Sequence, residues 1–195
     1  MATSATPNGA EPVNTLSASG SYSGKVRHIK IASAYDTAIF YGDFVALVAA
    51  GTGGKAAVTT AVVAGTVGIF VGCSYTDPSS SQLTFNQTFP ADTAASDIMA
   101  YVVDDPKLVF KMQGDEAIAQ TGLGNNISAV STAGSTTIGR SKNALDGGSI
   151  ATTNSLPLRV LEFVDGPTSA VGDTYTDCLV TYLPLSHAYE TKLGV

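Results

Sequence analysis

Charge is what this chain has least of. Only 13% of its 195 residues are Asp, Glu, Lys or Arg, about half the usual quarter. Ser, Thr, Asn, Gln and Gly must therefore cover most of the surface, as they do in extracellular, fibrous and virion proteins more than in cytosolic monomers. The cores of protein interfaces are likewise depleted of charge. The few charges sum to −6, and no basic cluster is longer than Lys25, Arg27 and Lys30. A grip on a phosphate backbone has little to stand on, and no nucleic-acid partner is expected. Long apolar runs are also missing. The longest uncharged apolar stretch, Phe44 to Ala50, falls far short of the roughly 18 residues a membrane helix needs. The N-terminus has neither a basic region nor an apolar one, so no secretory signal is expected. Without a secretory route, the triplets Asn86-Gln87-Thr88 and Asn126-Ile127-Ser128 read as chance matches to a glycosylation site. Tryptophan is absent, which weakens a sugar site built on flat aromatic platforms, although 8 tyrosines keep that reading alive.

Cysteine and histidine are nearly missing as well. Cys73 and Cys178 both lie in apolar alternating runs, where a thiol acts as a small hydrophobe. A disulfide between them stays open, because sequence does not report distance. Two cysteines cannot supply a four-ligand zinc site, and neither His28 nor His187 lies near them in the chain. His28 sits at a polar strand position beside Lys30, and His187 follows Leu185-Ser186 near the C-terminus. Neither adjoins a cysteine, and no GxSxG elbow exists.

What is present is strand patterning. Residues 1–24 are of low complexity and have little to bury, so they read as an N-terminal arm, flexible or extended. From Lys25 onward the period becomes 2, with Ile29 and Ile31 alternating with His28 and Lys30. Tyr41-Gly42-Asp43 is a turn signal ahead of a strand from Phe44 to Val48. The clearest strand is Val67 to Tyr75, which would place Val67, Ile69, Val71, Cys73 and Tyr75 on one face. Gly68 and Gly72 on the other face suggest the close passage of another backbone. Further strands are expected at Leu83–Phe89, Ile98–Val103, Lys107–Met112, Leu156–Phe163 and Tyr175–Leu183. In Lys107–Met112, Leu108, Phe110 and Met112 would share the buried face.

Helical signals are few. Asp115 to Gln120 could make one or two turns, capped by Asp115 and stopped by Gly122 and Gly124. Ala56 to Ala64 is rich in Val and Thr and reads as strand or loop. The expected fold is mainly β, an antiparallel sandwich or barrel with the arm and at most one short helix. Residues 25–195 form the β-rich domain, with room for two subdomains divided near 77–97. Gly-Asp pairs at 42–43, 114–115 and 172–173 read as repeated turn chemistry.

Two motifs invite a chemical reading. Gly51-Thr52-Gly53-Gly54-Lys55-Ala56 matches a GxGxxA fingerprint, but the β-branched run after it does not open a helix for a pyrophosphate. The same stretch fails as a P-loop, because Ala49 stands for the first glycine and Ala56 for the Ser/Thr after the lysine. It reads as a flexible hairpin tip. Asp104-Asp105-Pro106 reads first as a turn between strands and second as an ion site, since adjacent strand residues point to opposite faces. The residues thus assign no catalytic, metal or cofactor-binding position, and the chain is read as a structural or binding protein that is not an enzyme.

Four stretches carry a resemblance. They are Tyr41-Gly42-Asp43-Phe44-Val45, the block Gly65 to Asp77, Ala100-Tyr101-Val102-Val103-Asp104-Asp105-Pro106, and Leu156-Pro157-Leu158-Arg159-Val160. Across roughly residues 25 to 183 the chain resembles capsid decoration, or cement, proteins of tailed bacteriophages. The shared features are strand-and-turn patterns. The resemblance implies a homo-oligomer, commonly a homotrimer, on the capsid exterior of the virion. There it would bridge major capsid protein subunits after assembly in the bacterial cytoplasm, where both cysteines would stay reduced. Residues 1–24 and exposed loop tips would make the contacts, and deleting 1–24 would leave the β core folded. The alternative is a tail or head-fibre component that recognises the host surface.

Overall fold

A computed structural model describes residues 4–17, 24–56, 66–184 and 186–190. Its strands in chain order are β1 (Glu11–Thr15), β2 (Arg27–Lys30), β3 (Phe44–Leu47), β4 (Gly53–Lys55), β5 (Thr66–Thr76), β6 (Leu83–Asn86), β7 (Met99–Val103), β8 (Leu108–Gln113), β9 (Asn126–Val130), β10 (Ala144–Ala151), β11 (Leu158–Phe163) and β12 (Asp177–Tyr182). They form two antiparallel sheets that pack on each other, as the period-2 patterning predicts. One sheet has the order β1-β8-β12-β11-β9-β10, and the other runs β2-β7-β5-β3-β4 with β6 also paired to β5. Each sheet curls. A parallel bridge from Ile31 to Gly53 joins the ends of the second sheet, and one from Gly114 to Leu145 draws β10 to the end of β8 in the first. The described residues include no helix long and apolar enough to cross a membrane.

The N-terminal stretch is extended where it is described. β1 pairs with β8 from Glu11 opposite Lys111 to Thr15 opposite Leu108. Its sequence lacks an apolar period, and the pairing comes from the partner's free edge, with Pro12 beside a register shift. Ala10 and Thr15 are buried. Residues 11–15 thus belong to the first sheet, and deleting 1–24 would remove its edge strand from β8. The chain passes from the first sheet to the second between β1 and β2 and returns at residues 104–107, between β7 and β8, so residues 77–97 lie inside the second sheet's territory. The two sheets are not separate units, because Phe44, Ile69 and Val103 of the second complete the core of the first.

β8 matches its sequence pattern, with Leu108, Phe110 and Met112 all in the intersheet core. β5 does not. Its register slips at Val67 against β3 and at Val71 against β7. Each bulge reverses which face the next side chain meets. Val67, Phe70, Cys73 and Tyr75 consequently fill the second sheet's own core, while Ile69 and Val71 turn to the first sheet. The strand is buried on both faces, so no alternation of polar and apolar residues reports its orientation. Cys73 and Cys178 belong to different cores and are both free thiols, which settles the open question of pairing. Burial pushes each thiol up to about 12, well above reactive range.

The turn of helix expected at Asp115–Gln120 is absent, and a single 3-10 turn follows at Gln120–Gly122. Tertiary bonds override the local signal: Asp115 N–H donates to the Leu145 carbonyl, its carboxylate accepts from Gly147 N–H, and Ile118 is drawn fully into the core. β9 and β10 form strands that the sequence reading passes over. Of the Ala56–Ala64 expectation, residues beyond Ala56 lie outside the described residues.

Candidate interaction site

Three places gather polar or exposed chemistry. The first is the joint between the sheets around Asp43, a carboxylate with no exposed surface. Its Oδ2 accepts from Phe40 N–H at 2.9 Å and pairs with Lys55 Nζ at 3.0 Å. Its Oδ1 accepts from Ser141 Oγ at 2.7 Å and Asn143 Nδ2 at 3.2 Å. A single carboxylate thereby ties the hairpin β3–β4 to the segment leading into β10. The Gly-rich stretch at 51–56 is part of this hairpin. Gly53–Lys55 pair with β3, Gly51 turns with a φ of +73°, and Lys55 is committed to Asp43. The stretch is thus a strand of a β-hairpin, not the start of a helix, and its lysine is bound to Asp43.

The second place is the turn between β7 and β8. Asp105 Oδ1 accepts from Lys107 N–H and its backbone carbonyl from Leu108 N–H, the turn geometry expected from sequence. Its other oxygen accepts from Thr15 Oγ1 at 2.7 Å, whereas Asp104 points elsewhere, to Arg27 Nε at 2.7 Å and Tyr189 O–H at 3.2 Å. The two carboxylates do not share a ligand position. Residues 186–190 lie across this turn as a strap: Ala188 N–H donates to the Thr66 carbonyl, and Glu190 pairs with Lys107 at 2.9 Å. His28 is exposed and its ring lies tilted against that of Tyr101, with centroids 4.6 Å apart.

His187, by contrast, is fully buried, with Nδ1 accepting from Tyr189 N–H and its ring 5.4 Å from that of Tyr182. Burial holds its pKa below the ordinary histidine value, against opposing pulls from the Val67 carbonyl and the carboxylates of Glu190, Asp104 and Asp105. The unfolded chain takes up that proton near pH 6.5, and the folded chain only at lower pH. The strap's contribution is accordingly complete above about pH 6.5 and falls as pH drops through the depressed folded value. Urea midpoints are expected to decrease between pH 7 and 5, and His187→Gln to flatten that slope. An equal slope in both proteins would contradict this assignment.

The third place is the sheet edges. β1 and β6 each have one neighbour among the described residues. Val13 and Leu16 stand 49% and 55% exposed at the N-terminal edge, and Leu83 and Phe85 stand 61% and 67% exposed on β6. Large apolar side chains at uncovered edges mark interaction surfaces. Sequence reading found the β6 strand but not its edge position, which only the strand order reveals. One carboxylate group, Asp115, Glu116 and Asp146, brings ligand atoms within 4.8 Å of one another. Two of its members already accept protein hydrogen bonds, from Gly147 N–H and Ser128 Oγ. A groove of about 410 Å³ beside β1 holds Lys111 between Glu11 at 3.6 Å and Asp177 at 3.7 Å, so its charges are paired internally. No protein-family model matches the chain, nor does any curated protein or solved structure.

Proposed function

We propose that this protein is a structural component of a tailed-phage virion, a decoration protein that seats on the capsid exterior and bridges major capsid protein subunits. The observation that carries the reading is the N-terminal edge, where β1 is fixed to β8 yet offers Val13 and Leu16 to solvent. An anchored strand loses little conformational freedom when a partner covers it, so the contact avoids the ordering cost of a loose arm. The sparse charge, the buried unreactive thiols and the resemblance across residues 25–183 support the same reading. A cement role asks only for many modest contacts. Repetition around a shell turns them into tight attachment.

Val13→Asp/Leu16→Asp places two charges on exposed positions and is expected to leave the fold intact while lowering capsid occupancy at least about tenfold. Occupancy equal to that of the parent protein, measured by co-sedimentation, would reject the N-terminal edge as the shell contact.

A further inference from the structure

We propose that two copies of this chain pair through β6, edge to edge and antiparallel, about a twofold axis passing between their Thr84 residues. The inference stands independently of shell binding, because it concerns the other sheet and the other exposed edge.

The backbone geometry comes first. Asp77 N–H donates to the Gln82 carbonyl at 2.9 Å, in register with Thr76 opposite Leu83. In an antiparallel ladder the residues that bond to the neighbour alternate with those that do not. Gln82, Thr84 and Asn86 therefore direct their backbone groups to β5. The N–H and C=O of Leu83 and Phe85 face the open edge, where no described strand meets them.

The side chains then say what covers that edge. Natural edges are blunted with lysine, proline or a bulge, and β6 has none of these. From Pro78 to Ala91 the chain carries no charged residue. Nothing there selects a charged partner, and nothing repels an identical copy. Leu83 and Phe85 point to the outer face, and across β5 the row continues from Phe85 through Ser74 to Met99, itself 36% exposed.

A twofold axis at Thr84 is the register that uses this edge fully. Leu83 of each copy then faces Phe85 of the other, giving two Leu–Phe cross-strand pairs on one face and four backbone hydrogen bonds. Axes at Leu83 or Phe85 leave one outward residue facing a position outside the four-residue strand. A slip by one residue sets outward groups against inward ones. Four residues of edge alone bury less than the roughly 1,200 Å² of a tight interface, so the dimer is weak, with a Kd on the order of 0.1 mM.

The register supplies its own test in sedimentation velocity at loading concentrations up to about 1 mM. The parent protein is expected to show a monomer–dimer equilibrium. Leu83→Lys/Phe85→Lys sets lysine against lysine at both pairs and should weaken pairing at least about tenfold. Leu83→Lys/Phe85→Glu sets lysine against glutamate at both and should restore pairing to within about threefold of the parent. Both positions are exposed, and matching thermal unfolding of the three proteins checks that the fold is unchanged. A monomeric parent at all concentrations overturns the proposal. So does a trimer indifferent to these substitutions, or a lysine–glutamate variant no better than the double-lysine one. Capsid occupancy of the parent protein is read separately: a dimer that does not bind the shell counts only against decoration, and shell binding by a protein that stays monomeric counts only against the pairing.

Discussion

Asp43→Ala is expected to lower the unfolding free energy by about 3–5 kcal/mol, the cost typical of removing one partner from a buried ion pair. The carboxylate has no exposed surface and accepts four contacts, from Phe40, Lys55, Ser141 and Asn143. Alanine would leave Lys55 Nζ, whose side chain is only 14% exposed, without its counter-charge. It would also orphan two side-chain donors and one backbone N–H in the same enclosed space. Those donors come from both sides of the intersheet joint, so the loss should appear as one cooperative transition at lower urea with an unchanged slope. Asp43→Asn keeps one acceptor oxygen and should cost less than alanine, while still removing the charge and turning the other oxygen into an NH2 that faces donors. A loss below about 1 kcal/mol for the alanine variant would mean that the joint is held mainly by its apolar contacts.

Gly68→Ala should be comparably severe for a steric reason. A methyl at that position would lie 2.0 Å from the Val103 carbonyl oxygen and 2.8 Å from its carbon, on the neighbouring strand β7. The obstacle is backbone, which cannot rotate aside as a side chain could. Either β5 and β7 separate, breaking ladder bonds at the centre of the second sheet, or the bulge at Val67 rearranges and carries Ile69 and Phe70 off their two cores. Overpacking of this kind costs about 3 kcal/mol at the upper end of the usual range, and occasionally more. Circular dichroism and urea unfolding of the variant check it, and native-like stability would show that the strands can part at little cost.

That glycine was legible in outline. Two glycines in an otherwise apolar strand imply a close backbone approach, and the structure shows one at Gly68. The expected single face of Val67 to Tyr75 was not right, because two bulges switch sides within the 11-residue strand. Bulges leave no periodic trace when both faces are apolar. β8 was legible because lysines mark its outer positions. β10 was not. Its Asp-Gly-Gly-Ser centre looks like a turn, and it is extended because Gly147 leaves space where a Cβ would lie 2.7 Å from Glu116 Cγ, while Ser149 Oγ accepts from Ser128 N–H on β9. β1 was hidden for the same kind of reason, since its partner strand β8, the Asp105 and Lys107 groups that bind Thr15, and the Lys111 and Arg140 that pair with Glu11 are all distant in sequence. Of the interaction site, the strands could be read locally, but not which of them end a sheet. Asp43 was read as a turn residue, and its role as an intersheet anchor depends on Ser141 and Asn143, about a hundred residues away.

In the role proposed above, this chain covers a capsid. The most direct test of that role is co-sedimentation of the purified protein with capsids lacking it, followed by cryo-electron microscopy of the pelleted particles. Saturable binding at a fixed copy number is expected, with density on the outer surface where major capsid protein subunits meet and β1 turned toward the shell. Protein that stays in the supernatant at every concentration, or that is found on tails rather than on the shell, would contradict it and leave host recognition by a tail or head fibre as the reading to pursue.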